Sequence, residues 1–191
     1  MIGRIEFQLG CRGLLHLARF DQQFLRHFDR TAAGALRSFW LALPLLPYAL
    51  FIYWREMDQA VPNVALYMAA RCVGYAYGWI LFPMVILVAG RLLDRDAEAP
   101  GCVAVYNWLS LLWVVLQLPI VLLFVINPES GLATLLNIVA LLYSVVVEGF
   151  LLIHCLRIRM WQAALLVVID LVISLYVILP AAHALGGSSL L

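Results

Sequence analysis

Lysine is absent from this chain: all 12 of its basic residues are arginine. Charge of either sign is scarce, at 12% of residues, about half of the roughly 25% found in soluble domains. With 65% of residues hydrophobic and a mean hydropathy of +1.00, a water-soluble fold is excluded, because a chain this short has too little interior to hide so much apolar surface. The lack of lysine reads as a bias of a GC-rich genome and carries no mechanism. A net charge of +1 selects no partner, and nucleic acid is not expected as one.

Other absences narrow the function. The cysteines Cys11, Cys72, Cys102 and Cys155 lie far apart with no Cys-x-x-Cys pair, which argues against a disulfide framework or a zinc site. They are expected as small apolar residues in or near helices. There is no Gly-x-Ser-x-Gly, no His-Glu-x-x-His, no Walker A and no Rossmann glycine pattern. His154 and His183 have no second His or Cys at ligand spacing on a shared face, and His154 and Cys155 point apart as helix neighbours. No catalytic residue, metal or cofactor is therefore assigned, and the chain is read as a non-enzyme. No cleavable signal peptide is expected either, since the first apolar run starts near Ser38 behind a long charged segment without a small-residue cleavage site.

What the chain does have is long apolar runs. About 20 apolar residues carry a helix across the hydrocarbon core, and the runs predict spans at Ser38–Trp54, Val64–Gly90, Cys102–Ile126, Leu132–Leu156 and Trp161–Leu185. The predicted fold is all-α: a polytopic bundle of five transmembrane helices over residues 38–191, preceded by a cytoplasmic or interfacial amphipathic segment over residues 1–37. The breaks are Arg55-Glu56-Met57-Asp58, Arg91 to Asp96, the turn Asn127-Pro128-Glu129-Ser130-Gly131 and the tight Arg157-Ile158-Arg159. The first span is the shortest and holds Pro44 and Pro47, so a re-entrant segment is the alternative there. A four-span chain, however, would put Arg91, Arg95, Arg157 and Arg159 on the outside, against the positive-inside bias. That bias predicts a cytoplasmic N-terminus, a periplasmic Gly186-Gly187-Ser188-Ser189 tail and a bacterial inner membrane. Tyr53 and Trp54 fall at one membrane interface and Trp161 at the other.

In the N-terminal segment Arg12, Arg19 and Arg26 recur every seven residues, with His16, Gln23 and Arg30 beside them. Leu14, Leu17, Phe24, Leu25 and Phe28 project to the other side, interrupted by Asp21. The expectation is an amphipathic helix on the anionic inner leaflet, each arginine worth about 1 kcal/mol at such a surface. It serves as a topology anchor or, alternatively, a dock for a protein partner. Ala70, Gly74 and Gly78 form a small-residue stripe suited to helix packing inside the bundle or in a homo-oligomer. Pro83, Pro119 and Pro180 are expected kinks.

Ionisable residues inside spans are functional candidates by default. Glu148 and Asp170 flank the Arg157–Arg159 turn, at depths of about 14 and 16 Å along their helices. A hairpin brings them to nearly one level, where two ionised carboxylates in low dielectric repel, so the pair is expected to hold a proton. Asn107 on the third span, Asn137 and Ser144 on the fourth and Ser174 on the fifth extend this into a polar seam. The seam reads either as interhelical hydrogen bonding or as a proton or cation site. Arg71, about 30 Å from the inner surface, is too far away to pair with these acids and is expected to snorkel outward or meet another chain.

Arg37-Ser38-Phe39-Trp40 leading into Pro44, Tyr77-Gly78-Trp79-Ile80-Leu81-Phe82-Pro83, Tyr106-Asn107-Trp108 and Val168-Ile169-Asp170-Leu171 follow one another in an order that resembles a group of alphaproteobacterial inner-membrane proteins. The layout is similar to that of Yip-type five-span membrane proteins, which also begin in the cytoplasm. The Asp-Leu-Tyr-Gly-Pro type motif of eukaryotic members is missing, so the resemblance implies fold and no role in vesicle traffic. The leading functional expectation is an accessory or scaffold protein acting through helix packing and its arginine-rich N-terminal helix, with inner-leaflet lipids and a protein partner or second copy as its contacts. The runner-up is a small proton- or cation-coupled transporter or channel subunit using Glu148 and Asp170. A lipid-modifying membrane enzyme ranks third, for want of a reactive cluster at an interface.

Overall fold

A computed structural model of the chain describes residues 2–57 and 63–183, with side chains described through Tyr176. Asp58, the end of the last expected span at Leu185 and the Gly186–Ser189 tail lie outside the described residues, as does the side chain of His183. The described residues are helical apart from short turns. The helices are α1 (Arg4–Ala18), α2 (Ala32–Ser38), α3 (Ala42–Glu56), α4 (Val64–Leu92), α5 (Ala99–Ile126), α6 (Gly131–Leu156) and α7 (Met160–His183).

Each boundary has a local cause. Asn63 and Ser130 cap α4 and α6 by accepting from the Leu66 and Ala133 amides at 3.0 and 3.3 Å. Pro100 sits in the first turn of α5, where a missing N–H does no harm. Arg157 ends α6 in the left-handed region at φ 54°, and the Gln162 side chain accepts from the Arg159 amide at 2.8 Å to start α7. α2, a short 3-10 turn at Phe39–Leu41 and α3 run on as one apolar stretch, Ala32–Glu56. The first span thus begins six residues before the expected Ser38. Its N-cap is Thr31, whose hydroxyl accepts from the Gly34 amide at 3.1 Å. With 25 residues it is long enough to cross a bilayer, Pro44 and Pro47 notwithstanding. Four helices of the described residues meet that requirement, and the apolar stretch Met160–Tyr176 forms a shorter fifth.

α5 packs on α4 and α6, and α7 packs on the same two helices, closing a ring of four. α3 leans on α4 and α5, and α2 lies along the first turns of α5. The ends of the helices that carry Arg91, Arg95, Arg157 and Arg159 gather on one side, where Arg157 lies 3.9 Å from Glu98. This is called the arginine-bearing end below.

The N-terminal segment departs from one continuous amphipathic helix. α1 stops at Ala18, Phe20 takes φ 56°, and a 3-10 turn over Gln22–Arg26 doubles the chain back. Asp21 is the pivot rather than an interruption. It accepts from the Gln23 amide at 2.9 Å and meets His16 Nδ1 at 2.8 Å. Both contacts hold its carboxyl below the ordinary carboxylate value, the backbone hydrogen bond most of all. The stacked rings of His16 and His27, with centroids 4.9 Å apart, close the fold-back. The apolar side, Leu14, Leu17, Phe24 and Phe28, enters the core made by α5 and α6, and the Tyr143 hydroxyl donates to the Ala18 carbonyl. Glycines permit this approach: a Cβ at Gly10 would strike the Trp108 ring, and one at Gly101 would strike Arg30.

Candidate functional site

The ring borders a half-open cavity of about 810 Å³, lined by α3, α4, α5, α6 and α7. At its deep end, toward the arginine-bearing side, stand Glu148 on α6 and Asp170 on α7. Tyr106 on α5 donates its hydroxyl to Asp170 Oδ1 at 3.1 Å. The tyrosine ring is itself held against Phe82, centroids 4.7 Å apart. Glu148 is 7% exposed, and its Oε1 has no hydrogen-bond partner. A buried carboxylate oxygen without a partner is costly.

All six polar residues expected to form the seam, namely Asn107, Asn137, Ser144, Glu148, Asp170 and Ser174, line this cavity. They do not form one network. The Asn107 amide donates to Ser38 Oγ at 2.9 Å, and Ser38 in turn donates to the Ala35 carbonyl at 2.6 Å, which ties α5 to α2. Asn137 accepts from Gln117 at 3.1 Å, joining α6 to α5 farther out. Ser144 donates to the Leu141 carbonyl of its own helix at 2.8 Å. Of the two acids, Asp170 has Tyr106 as its hydrogen-bonding partner.

Arg71 corrects an expectation. It neither snorkels nor awaits another chain: it is 5% exposed, ion-paired with Glu56 at the end of α3, and stacked over Tyr53 at 4.4 Å and Tyr67 at 5.7 Å. Arg71 and Glu56 line the cavity at the end opposite the acids. Sequence reading missed this pair and Tyr106. The signals were there, since α3 and α4 form a hairpin with Glu56 at its turn. Tyr106, seven residues into α5, lies about 10 Å from the arginine-bearing end, within one turn of the level of Asp170.

The remaining candidates divide. Gly74 and Gly78 line the cavity, and a Cβ at Gly78 would meet nothing within 4 Å, so no neighbouring helix of the chain crowds that glycine. Ala70 is half-buried on the same helix. Arg12, Arg19 and Arg26 are exposed. Arg30 turns into the protein instead, its Nη2 donating to the Cys155 carbonyl at 3.5 Å. The free cysteines Cys102 and Cys155 are fully buried, whereas Cys11 and Cys72 are partly so.

Long apolar helices around an internal, partly polar chamber define a polytopic helical membrane protein. The chain belongs to the Yip1 family, whose Yip1 domain matches residues 17–182. That match takes in the doubled-back N-terminal segment from Leu17 together with all of α2 to α6 and α7 through Ala182. No curated protein and no solved structure matches the chain.

Proposed function

We propose that this Yip1-family protein is a non-enzymatic subunit of the bacterial inner membrane that takes up a proton or a monovalent cation at Glu148 and Asp170, as part of a small transport or channel assembly. One observation carries the reading: Glu148 Oε1 is buried, unpartnered and on the wall of the cavity that also holds Asp170. Intramembrane carboxylates are expensive, and most mark ion or proton pathways. The arginine asymmetry supports a cytoplasmic arginine-bearing end and a periplasmic C-terminus. The cavity then reaches from mid-membrane toward the periplasmic side.

The test is reconstitution in liposomes with an imposed pH gradient. Proton-coupled cation flux is expected in the native chain and lost in Glu148→Gln and Asp170→Asn, while insertion and thermal unfolding stay unchanged. Wild-type flux in both amide variants would remove the reading.

A scaffold role is favoured by a separate observation. Arg12, Arg19 and Arg26 stay exposed on a segment whose other side is anchored in the core. These arginines suit an anionic inner leaflet or an acidic partner. Deleting residues 1–30 is a poor test, because it also removes Leu14, Leu17, Phe24 and Phe28 from the core. Replacing the three exposed arginines with glutamine leaves the core intact. Loss of binding to anionic vesicles or of a co-purifying chain is the expected result, and unchanged retention of both would exclude it.

A further inference from the structure

We infer that the cavity takes a lipophilic organic cation: an ammonium or phosphonium centre carried on an apolar or aromatic body, with its charge seated at Glu148 and Asp170. The inference rests on the proposed cation site and names the class of ligand that site accepts.

The deep end supplies the charge. Tyr106 donates to one oxygen of Asp170, and Glu148 Oε1 has no partner, so lone pairs of both acids remain for a ligand. With one proton shared by Glu148 and Asp170, the acid pair and Glu56 each carry one negative charge, against the guanidiniums Arg55 and Arg71. Glu56 already pairs with Arg71, and Arg55 is exposed. The unanswered charge of the cavity is therefore negative and lies at the deep end.

The walls supply the body contacts. Trp79 and Tyr75 on α4 meet edge-on with centroids 6.1 Å apart, and Trp113 lines the cavity from α5. Measured along their helices from the arginine-bearing end, Trp79, Trp113 and Tyr75 stand at about 20, 21 and 26 Å, and Asp170 at about 15 Å. The aromatic collar is thus about one to two turns beyond the carboxylates. Aromatic faces attract cations and pack flat apolar groups.

The volume decides between ligands. About 810 Å³ lies within the roughly 300–1,000 Å³ of drug-sized pockets and is far larger than a bare ion needs. A hard divalent ion wants six or more oxygens at close range. Among the described residues no three His, Cys, Asp or Glu side chains come together as a metal set. An organic cation needs no such cage, because its apolar groups replace the hydration shell.

The probe is radiolabelled tetraphenylphosphonium, added to the purified full chain in detergent and measured by equilibrium dialysis. Triphenylphosphine oxide, a neutral molecule with the same aryl groups, is the competitor. Saturable binding of one cation per chain is expected, not displaced by the oxide. Glu148→Gln and Asp170→Asn should weaken it about thirtyfold or more. Trp113→Leu leaves the acids and the packed core alone, and Trp79→Leu, at a side chain partly buried against that core, leaves the acids alone; each should weaken it about threefold or more, and they keep the test decisive if an amide variant fails to fold. No saturable binding, equal displacement by the oxide, or unchanged affinity in the tryptophan variants overturns the inference. If liposome flux depends on Glu148 but the phosphonium does not bind, the ligand class is wrong and the cation site stands. If the phosphonium binds as expected but neither amide variant changes flux, the ligand site stands and the transport reading falls.

Discussion

In the half of the bundle that carries Arg91, Arg95 and Arg157, side chains from six helices and the N-terminal turn interlock. Phe24, Leu151, Leu152, Val105 and Ile86 are fully buried there, and Gly10, Gly34 and Gly101 sit where even a methyl group would collide. In the other half the same helices separate around a chamber of about 810 Å³, and Leu118, Leu122, Leu135 and Leu142 face outward, where lipid would cover them. Both halves are made of similarly apolar helices. What differs is the N-terminal segment, which fills and braces the arginine-bearing half and does not reach the other. Full burial of these side chains and the close glycine contacts make this half the packed base. The hollow half can then hold costly polar groups, because the base bears most of the stability.

That contrast is open to direct attack. The largest effects should come from the packed half. Leu151→Ala opens a void at a fully buried site and should cost about 2–5 kcal/mol. Gly34→Ala drives a methyl into the Asp29 backbone carbonyl and should cost about 1–3 kcal/mol. Both would be measured by unfolding in mixed micelles. Stability within a few tenths of a kcal/mol of the native chain would mean that this half is not the base.

Next in size is the Arg71–Glu56 ion pair on the chamber wall. Glu56→Gln strips the buried Arg71 of its counter-charge. Since Glu56 is itself 53% exposed, the expected cost is about 1–2 kcal/mol, below the value for a fully buried pair. Faster labelling of a cysteine introduced at Ser174, on the cavity wall, should accompany it. Unchanged labelling would show that the pair does not restrict access.

A smaller effect follows from acid. Hydrogen bonds from the Thr31 side chain and amide, with Arg37 beside them, hold Asp29 below its ordinary value of 3.8. A lowered folded value means that the stabilisation is complete above about pH 4 and is lost as pH falls through the folded value. Asp21 behaves likewise through Gln23 and His16. The N-terminal segment should therefore loosen before the bundle does on acidification, seen as a change in the emission of Trp108, which packs on Phe7 and Phe28. A Trp108 signal that moves only with global unfolding would contradict this.

The smallest effect belongs to the hollow half. Gly78→Ala adds a methyl where nothing lies within 4 Å and should be neutral, or stabilising by up to about 1 kcal/mol through helix propensity. A clear loss of stability, or of an oligomer, would instead place a second chain against the Ala70-Gly74-Gly78 stripe.

Much of the fold was legible along the chain. The helices α4, α5 and α6 end at the breaks that charged and turn residues mark, whereas the first long helix starts at Thr31, a readable N-cap that hydropathy alone passes over. The six seam residues reach the cavity because polar groups on apolar helices turn away from lipid. Less was legible in the N-terminal segment. A seven-residue arginine repeat describes one helix face only while the helix continues, and the left-handed Phe20 followed by the Asp21 cap breaks it. Arg71 was misjudged because its depth was measured against Glu148 and Asp170, whereas its partner Glu56 stands at its own end of the bundle.

The sequence by itself determined that the chain is an all-helical membrane protein and which helix ends share the arginines, because hydropathy and charge act on each segment locally through its solvent. Only the tertiary structure decided that the chain doubles back into the core after α1, that Tyr106 and not Asn107 serves Asp170, and that Arg71 pairs with Glu56 on the chamber wall. Those outcomes depend on how each helix is rotated and tilted against its neighbours. Side-chain packing sets that rotation, and no single segment carries it.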